Sequence, residues 1–166
     1  FGNFDFSMLG TFGLQAARKT VINTPFLDFA GYANYPLSFT GNGTLLWDYR
    51  RFSVGWSTRY IPRVHVSGPP ISPSLLNRQM QGGEWMPSQT YHDLSLSYRI
   101  PFAGRSGSRH DIRSFATSLL SGVELQLAVY NLFRHEPPLQ AGSLFGYSTY
   151  GDIRLRDVRI SIKKPF

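Results

Sequence analysis

Histidine is the side chain best suited by type to proton transfer or metal binding near neutral pH, and this chain has four: His65, His92, His110 and His135. None has another histidine four residues away, the spacing that turns two rings on one helical face toward a metal. The 166 residues contain no cysteine, so they offer no thiolate metal site, disulfide or cysteine nucleophile. No Gly-x-Ser-x-Gly elbow and no phosphate-cradling glycine loop occurs. A serine hydrolase would need a serine, a histidine and an acid at one rim. Ser57, His92 and Asp93 supply the types, but most segments of this chain carry such residues by chance. The histidines read better as loop and rim residues, the chain does not read as an enzyme, and no cofactor or metal is implied.

The other candidates for chemistry are charges and rings. Asp5, Asp48, Arg59, Asp93, Arg99, Glu124 and Arg159 all stand at the polar positions of segments that alternate polar and apolar residues. A hydrated wall with cross-strand ion pairs is their simplest role, and contact with a passing ligand their functional one. Tyr32, Tyr35, Trp85 and Tyr147 lie in long irregular connections, where rings stack either on a ligand or on one another. The net charge is +7, yet the basic residues form no stripe, which argues against nucleic acid and suits an anionic surface such as lipopolysaccharide.

The elements that must position these residues announce themselves by period two. Phe4, Phe6, Met8, Phe12 and Leu14 alternate with Asp5, Ser7, Thr11 and Gln15. Leu45, Trp47 and Tyr49 alternate with Thr44 and Asp48, Leu46 being the exception. The same pattern runs through Phe52–Tyr60, Asp93–Phe102, Val123–Phe133 and Val158–Phe166. About six strands of roughly ten residues result, with no sustained helical period; only "SFATSLLSG" suggests a turn or two of helix. If Arg50 and Arg51 make a tight turn, Tyr49 meets Phe52, Trp47 meets Val54 and Leu45 meets Trp56, each pair on one face. Ile153 and Leu155 are out of phase with Val158, which predicts a bulge near Arg156 and Asp157.

Period two does not say which face meets water. A lipocalin-like barrel is apolar inside and a membrane barrel inverts this. Three features favour the membrane. The strands have the length that crosses a bilayer on a tilt. Aromatic residues gather at the ends of the apolar faces: Phe4, Tyr49, Phe52, Tyr60, Phe102, Phe133 and Phe166. Long connections alternate with short ones. No run of about 18 apolar residues offers a transmembrane helix. The chain opens on Phe1 directly inside a strand pattern, so it reads as a processed product or a fragment. Six strands are fewer than the usual minimum of about eight, which predicts the C-terminal piece of a larger barrel.

The last residues, Val158, Ile160 and Ile162 alternating and ending on Phe166, resemble the C-terminal assembly signal of bacterial outer-membrane proteins, with Lys164 where an apolar or aromatic residue is usual. "YHDLSLSYRI", then "VYNLFRHEPP", then a Gly-Asp-x-Arg and the terminal strand resemble, in that order, the end of TonB-dependent outer-membrane receptors. That resemblance implies an all-β fold, a transmembrane antiparallel barrel of about 22 strands of which residues 1–166 are the C-terminal part, with a plug domain upstream. It implies an outer-membrane protein that imports a scarce ligand, such as a siderophore-iron complex, cobalamin or a saccharide. Its partners would be the TonB complex through an upstream segment, the barrel-assembly machinery, outer-membrane lipid and the small-molecule ligand. The seven charged residues above would face the lumen, toward plug or ligand. The connections at 18–42, 63–90 and 134–150 would be extracellular; Arg50-Arg51 and 103–121 would be periplasmic, the latter unusually long. A passive porin, a small structural barrel and a soluble lipocalin-like barrel are the alternative readings.

Overall fold

The computed structural model describes residues 1–19, 22–66, 75–101, 121–143 and 146–164. Phe102, His110, Phe166 and nearly all of the 103–121 connection lie outside the described residues, and with them the expectations placed on them. The elements are β1 (Asn3–Phe12), β2 (Ala17–Arg18), β3 (Leu27–Asp28), β4 (Phe39–Tyr49), β5 (Phe52–Ile61), β6 (Val64–His65), α1 (Leu75–Gln81), β7 (Trp85–Met86), β8 (Gln89–Arg99), β9 (Glu124–Tyr130) and β10 (Asp157–Lys163).

The six long strands form one antiparallel sheet in the order β1-β4-β5-β8-β9-β10, so every strand pairs with its predecessor in the meander. Tyr49 pairs with Phe52, Trp47 with Val54 and Leu45 with Trp56, the register that the alternation requires. The turn between them is the two residues Arg50 and Arg51, and Arg50 takes the left-handed conformation (φ 56°) that glycine or asparagine usually supplies. Among the described residues β1 and β10 each leave one edge unpaired, a row of open backbone donors and acceptors.

Successive pairing carries each face across the sheet. Phe4, Trp47, Val54, Leu96, Leu127 and Ile160 form one apolar row. The apolar face is uncovered: Phe6, Met8, Ile160 and Ile162 remain 69%, 73%, 76% and 69% exposed. Rings lie toward both of its ends. Phe52 packs on Tyr98 and Trp47 on Tyr49 at the Arg50-Arg51 end, while Phe12, Phe39 and Tyr60 adjoin at the other. The opposite face is mostly polar, and three cavities open along it. Gly55 lies buried at its centre, where a Cβ would come within 2.5 Å of Ser95 Oγ.

The packed core lies away from the sheet. The three long connections, between β1 and β4, β5 and β8, and β9 and β10, all leave the same end of the sheet, and their described residues stack into a cap. Ala33, Val64, Val66 and Met86 form its centre, with Leu37, Ala141 and Tyr150 against it. His65 N–H donates to Gly31 O and Ala33 N–H to His65 O, at 2.9 and 2.8 Å. The Gln81 side chain donates to Leu139 O and accepts from Ala141 N–H.

Several boundaries differ from the sequence reading. β4 begins at Phe39 and β8 at Gln89, so strand pairing claims the ends of two predicted loops. β9 stops at Tyr130 because Asn131 turns left-handed (φ 51°), which leaves Phe133 beyond the strand. α1 was not predicted: its seven residues are too few for a periodic pattern to stand out. The phase break at Ile153 and Leu155 is a turn ahead of β10, with Leu155 at φ 58°, rather than a bulge within it.

Candidate functional site

Strand alternation and register bring Asp5, Asp48, Arg59, Asp93, Arg99, Glu124 and Arg159 to the polar face. Part of this set is paired along the sheet. Arg99 pairs with Glu124 across the β8–β9 ladder at 3.1 Å, Arg159 with Asp157 at 2.8 Å, and Ser53 Oγ donates to Asp48. Exposed pairs of this kind contribute at most about 1 kcal/mol each. Asp5 makes no side-chain hydrogen bond among the described residues.

The end of this face nearest the cap is more elaborate. A cavity of about 310 Å³ is lined by β4, β5 and β8 through Asn42, Thr44, Ser57, Arg59 and Asp93, and closed on the loop side by Asn131 and Asp152. Arg59 lies over the Tyr91 ring, 5.2 Å from its centre. Asp93 Oδ1 accepts the Asn131 N–H at 2.8 Å. Asn131 is buried, and its side chain bridges the next turn: Nδ2 donates to His135 O and Oδ1 accepts His135 N–H, both at 2.8 Å. Its left-handed backbone is one that asparagine tolerates better than most residues. Gly151 packs so close that a Cβ there would meet Tyr91 Oη at 2.7 Å and Gln89 Oε1 at 2.9 Å. Asp152 then holds Arg154 by Nε at 3.1 Å and Nη2 at 2.9 Å. The Arg154 hydrogen bonds keep the Asp152 carboxyl below the usual carboxylate range, and the Asp152 carboxylate raises Arg154 in return.

Ser57 and Asp93 pair directly across β5 and β8 on the polar face. His92, next to Asp93 on the strand, points to the apolar face. There its Nδ1 shares a hydrogen bond with Thr58 Oγ1 at 2.9 Å, and its ring packs on Trp56 and Phe133. The Ser57-His92-Asp93 arrangement is thus ruled out by alternation itself. His135 packs edge-on to Tyr91. No three His, Asp or Glu among the described residues come together as a metal site.

The loop aromatics pack on one another. Tyr32 stacks on His65 at 4.8 Å, Trp85 lies 3.5 Å from the same imidazole, and Arg63 caps Trp85 at 4.3 Å. Burial between these rings pushes His65 down from its ordinary value; Glu84 raises it, while Arg78 and Arg63 lower it further. Tyr35 packs on Phe29 at 4.5 Å. Tyr150 Oη meets the carbonyls of both Tyr35 and Tyr32, at 2.6 and 3.1 Å, and burial raises its pKa. Tyr147, paired by backbone with Leu139, is 40% exposed. So Tyr32, Tyr35 and Trp85 make ring contacts within the cap, and Tyr147 makes none among the described residues.

Asn42, Thr44, Tyr91, Asn131 and Asp152 were not singled out from the sequence as site residues. For Asn42 and Thr44 the polar parity of their strand was the available signal, and for Asp152 the Gly-Asp-x-Arg. Tyr91 carries no such signal, because its burial comes from contacts with Gln89 and the third loop. Comparison with family models, with curated proteins and with solved structures finds no match for this chain.

Proposed function

We propose that residues 1–166 are the C-terminal part of a transmembrane β-barrel in an outer-membrane receptor of the TonB-dependent type, which imports a small ligand. The observation that carries this reading is the uncovered apolar face. A water-soluble domain buries such a surface, yet here the buried core sits in the loops. A strand of ten residues such as β1 is about 30 Å long at ~3.4 Å per residue, or a little over 20 Å along a normal tilted by about 45°, close to the ~25 Å apolar band of such barrels. The two open edges of the sheet fit a partial barrel whose remaining strands come from elsewhere in a longer chain. The resemblance motifs also have structural roles: Asn131 of "YNLF" turns the chain out of β9, and Asp152 of the Gly-Asp-x-Arg lines the polar cavity.

Two measurements test this. Full-length protein from outer-membrane extracts is expected to migrate differently boiled and unboiled. Identical mobility, with the protein in the soluble fraction, would favour a lipocalin-like barrel. Ligand uptake is expected to collapse with a proton uncoupler, whereas unchanged uptake would make the protein a passive porin.

A further inference from the structure

The cavity beneath the loop cap is a place where unused hydrogen-bonding groups converge. Among the described residues, the side chains of Asn42, Thr44 and Ser57 make no hydrogen bond, and Asp93 commits only Oδ1, to the Asn131 N–H. Arg59 has no ion pair among these residues either; it rests on Tyr91. The groups come from three adjacent strands of one sheet, so strand pairing fixes the spacing of their backbones more closely than loops would. The volume of about 310 Å³ is at the lower end for a small-molecule site.

We propose that this cavity is a subsite for a neutral saccharide, an inference that rests on the transport reading above. The charge balance chooses the class. One guanidinium, Arg59, faces two carboxylates, Asp93 and Asp152, and Asp152 is already held by Arg154. A polyanion, such as an anionic metal chelate, would approach Asp93 with a single cation to meet it. A sugar hydroxyl both donates and accepts. Asp93 Oδ2 accepts a charge-assisted hydrogen bond from it, the Arg59 fork donates to its oxygen, and the Asn42 amide and the Thr44 and Ser57 hydroxyls serve either way.

The test uses the full-length protein, purified from outer membranes in detergent, on a printed array of neutral and acidic glycans. Asn42→Leu, Arg59→Met and Asp93→Asn are compared with wild type, the last keeping an acceptor for the Asn131 N–H. Binding to neutral glycans, weakened tenfold or more in at least two variants whose heat-modifiable mobility is normal, is the expected result. No bound glycan, binding confined to acidic glycans, or neutral binding that all three variants retain would overturn the proposal. The mobility of the same preparations separates this from a failure of the barrel reading, which would show as a missing shift in wild type.

Discussion

Ile160 and Ser161 are neighbours on β10 with opposite surroundings. Ile160 lies midway along the strand, opposite Leu127, and is 76% exposed on the apolar face. Ser161 lies opposite Gln126 and donates to its Oε1 at 3.2 Å. If the apolar face meets hydrocarbon, Ile160→Arg places a guanidinium near the bilayer midplane at a cost of about 2–4 kcal/mol. That is roughly a 30- to 900-fold loss in the folding equilibrium. Ser161→Arg forfeits one hydrogen bond, with a net cost of about 0.5–1.5 kcal/mol, and its charge stays in water. Folded protein in the outer membrane, read by heat-modifiable mobility, should be nearly absent for Ile160→Arg and close to normal for Ser161→Arg. Burial against protein would also penalise Ile160→Arg, so a second assay is required. These 166 residues contain no cysteine, so Ile160→Cys and Ser161→Cys, in a full-length protein freed of any cysteine elsewhere, can each carry a nitroxide label. At position 160 the label should relax faster with oxygen, which partitions into lipid, and at 161 with a water-soluble nickel chelate. A nickel-accessible 160, a label at 160 shielded from both reagents, or an outer membrane that accepts Ile160→Arg and loses Ser161→Arg would refute the inside-out assignment.

Three further outcomes are expected. Asn131→Ala removes both bonds to the His135 backbone and puts alanine in a left-handed conformation, costing about 2–4 kcal/mol in urea unfolding of the micelle-bound protein, whereas Asn131→Gly relieves the conformational part. Tyr150→Phe frees the carbonyls of Tyr32 and Tyr35; hydrogen exchange should quicken by about 5- to 160-fold, for a loss of about 1–3 kcal/mol, at the cap amides of Ala33 and His65 while β4 and β5 stay protected. Asp28 accepts N–H bonds from Ala16 and Ala30 at 2.8 and 2.9 Å, and these lower its pKa. A depressed carboxylate stabilises above its unfolded value of about 3.9 and stops doing so as pH falls through the folded one, so the β2–β3 ribbon should open first in acid, below about pH 4; protection of the Ala16 and Ala30 amides, taken relative to their intrinsic exchange rates, that does not change between pH 5 and pH 2 would contradict this.

Strand positions, facing and the β4–β5 register follow from the sequence alone because they are local. Side-chain direction in a strand repeats every two residues, and a one-residue slip would invert every apolar residue from Phe39 to Ile61. The same arithmetic places Asp5, Asp48, Arg59, Asp93, Arg99, Glu124 and Arg159 on one face, and it excludes His92 from a triad with its own neighbour Asp93. The cap obeys no such period. Tyr150 reaches the carbonyls of Tyr32 and Tyr35 across 118 and 115 residues, and Gln140 reaches Asn34 across 106. α1, the burial of Met86 and the stacking of Tyr32 and Trp85 on His65 follow from that packing. So does the closing of a polar cavity on Arg59 and Asp93 by Asn131 and Asp152. Alternation could place Arg59 and Asp93 on the wall, but only the folded connections could bring the remaining side of the cavity to them, because contacts between distant segments leave no repeating mark in the chain.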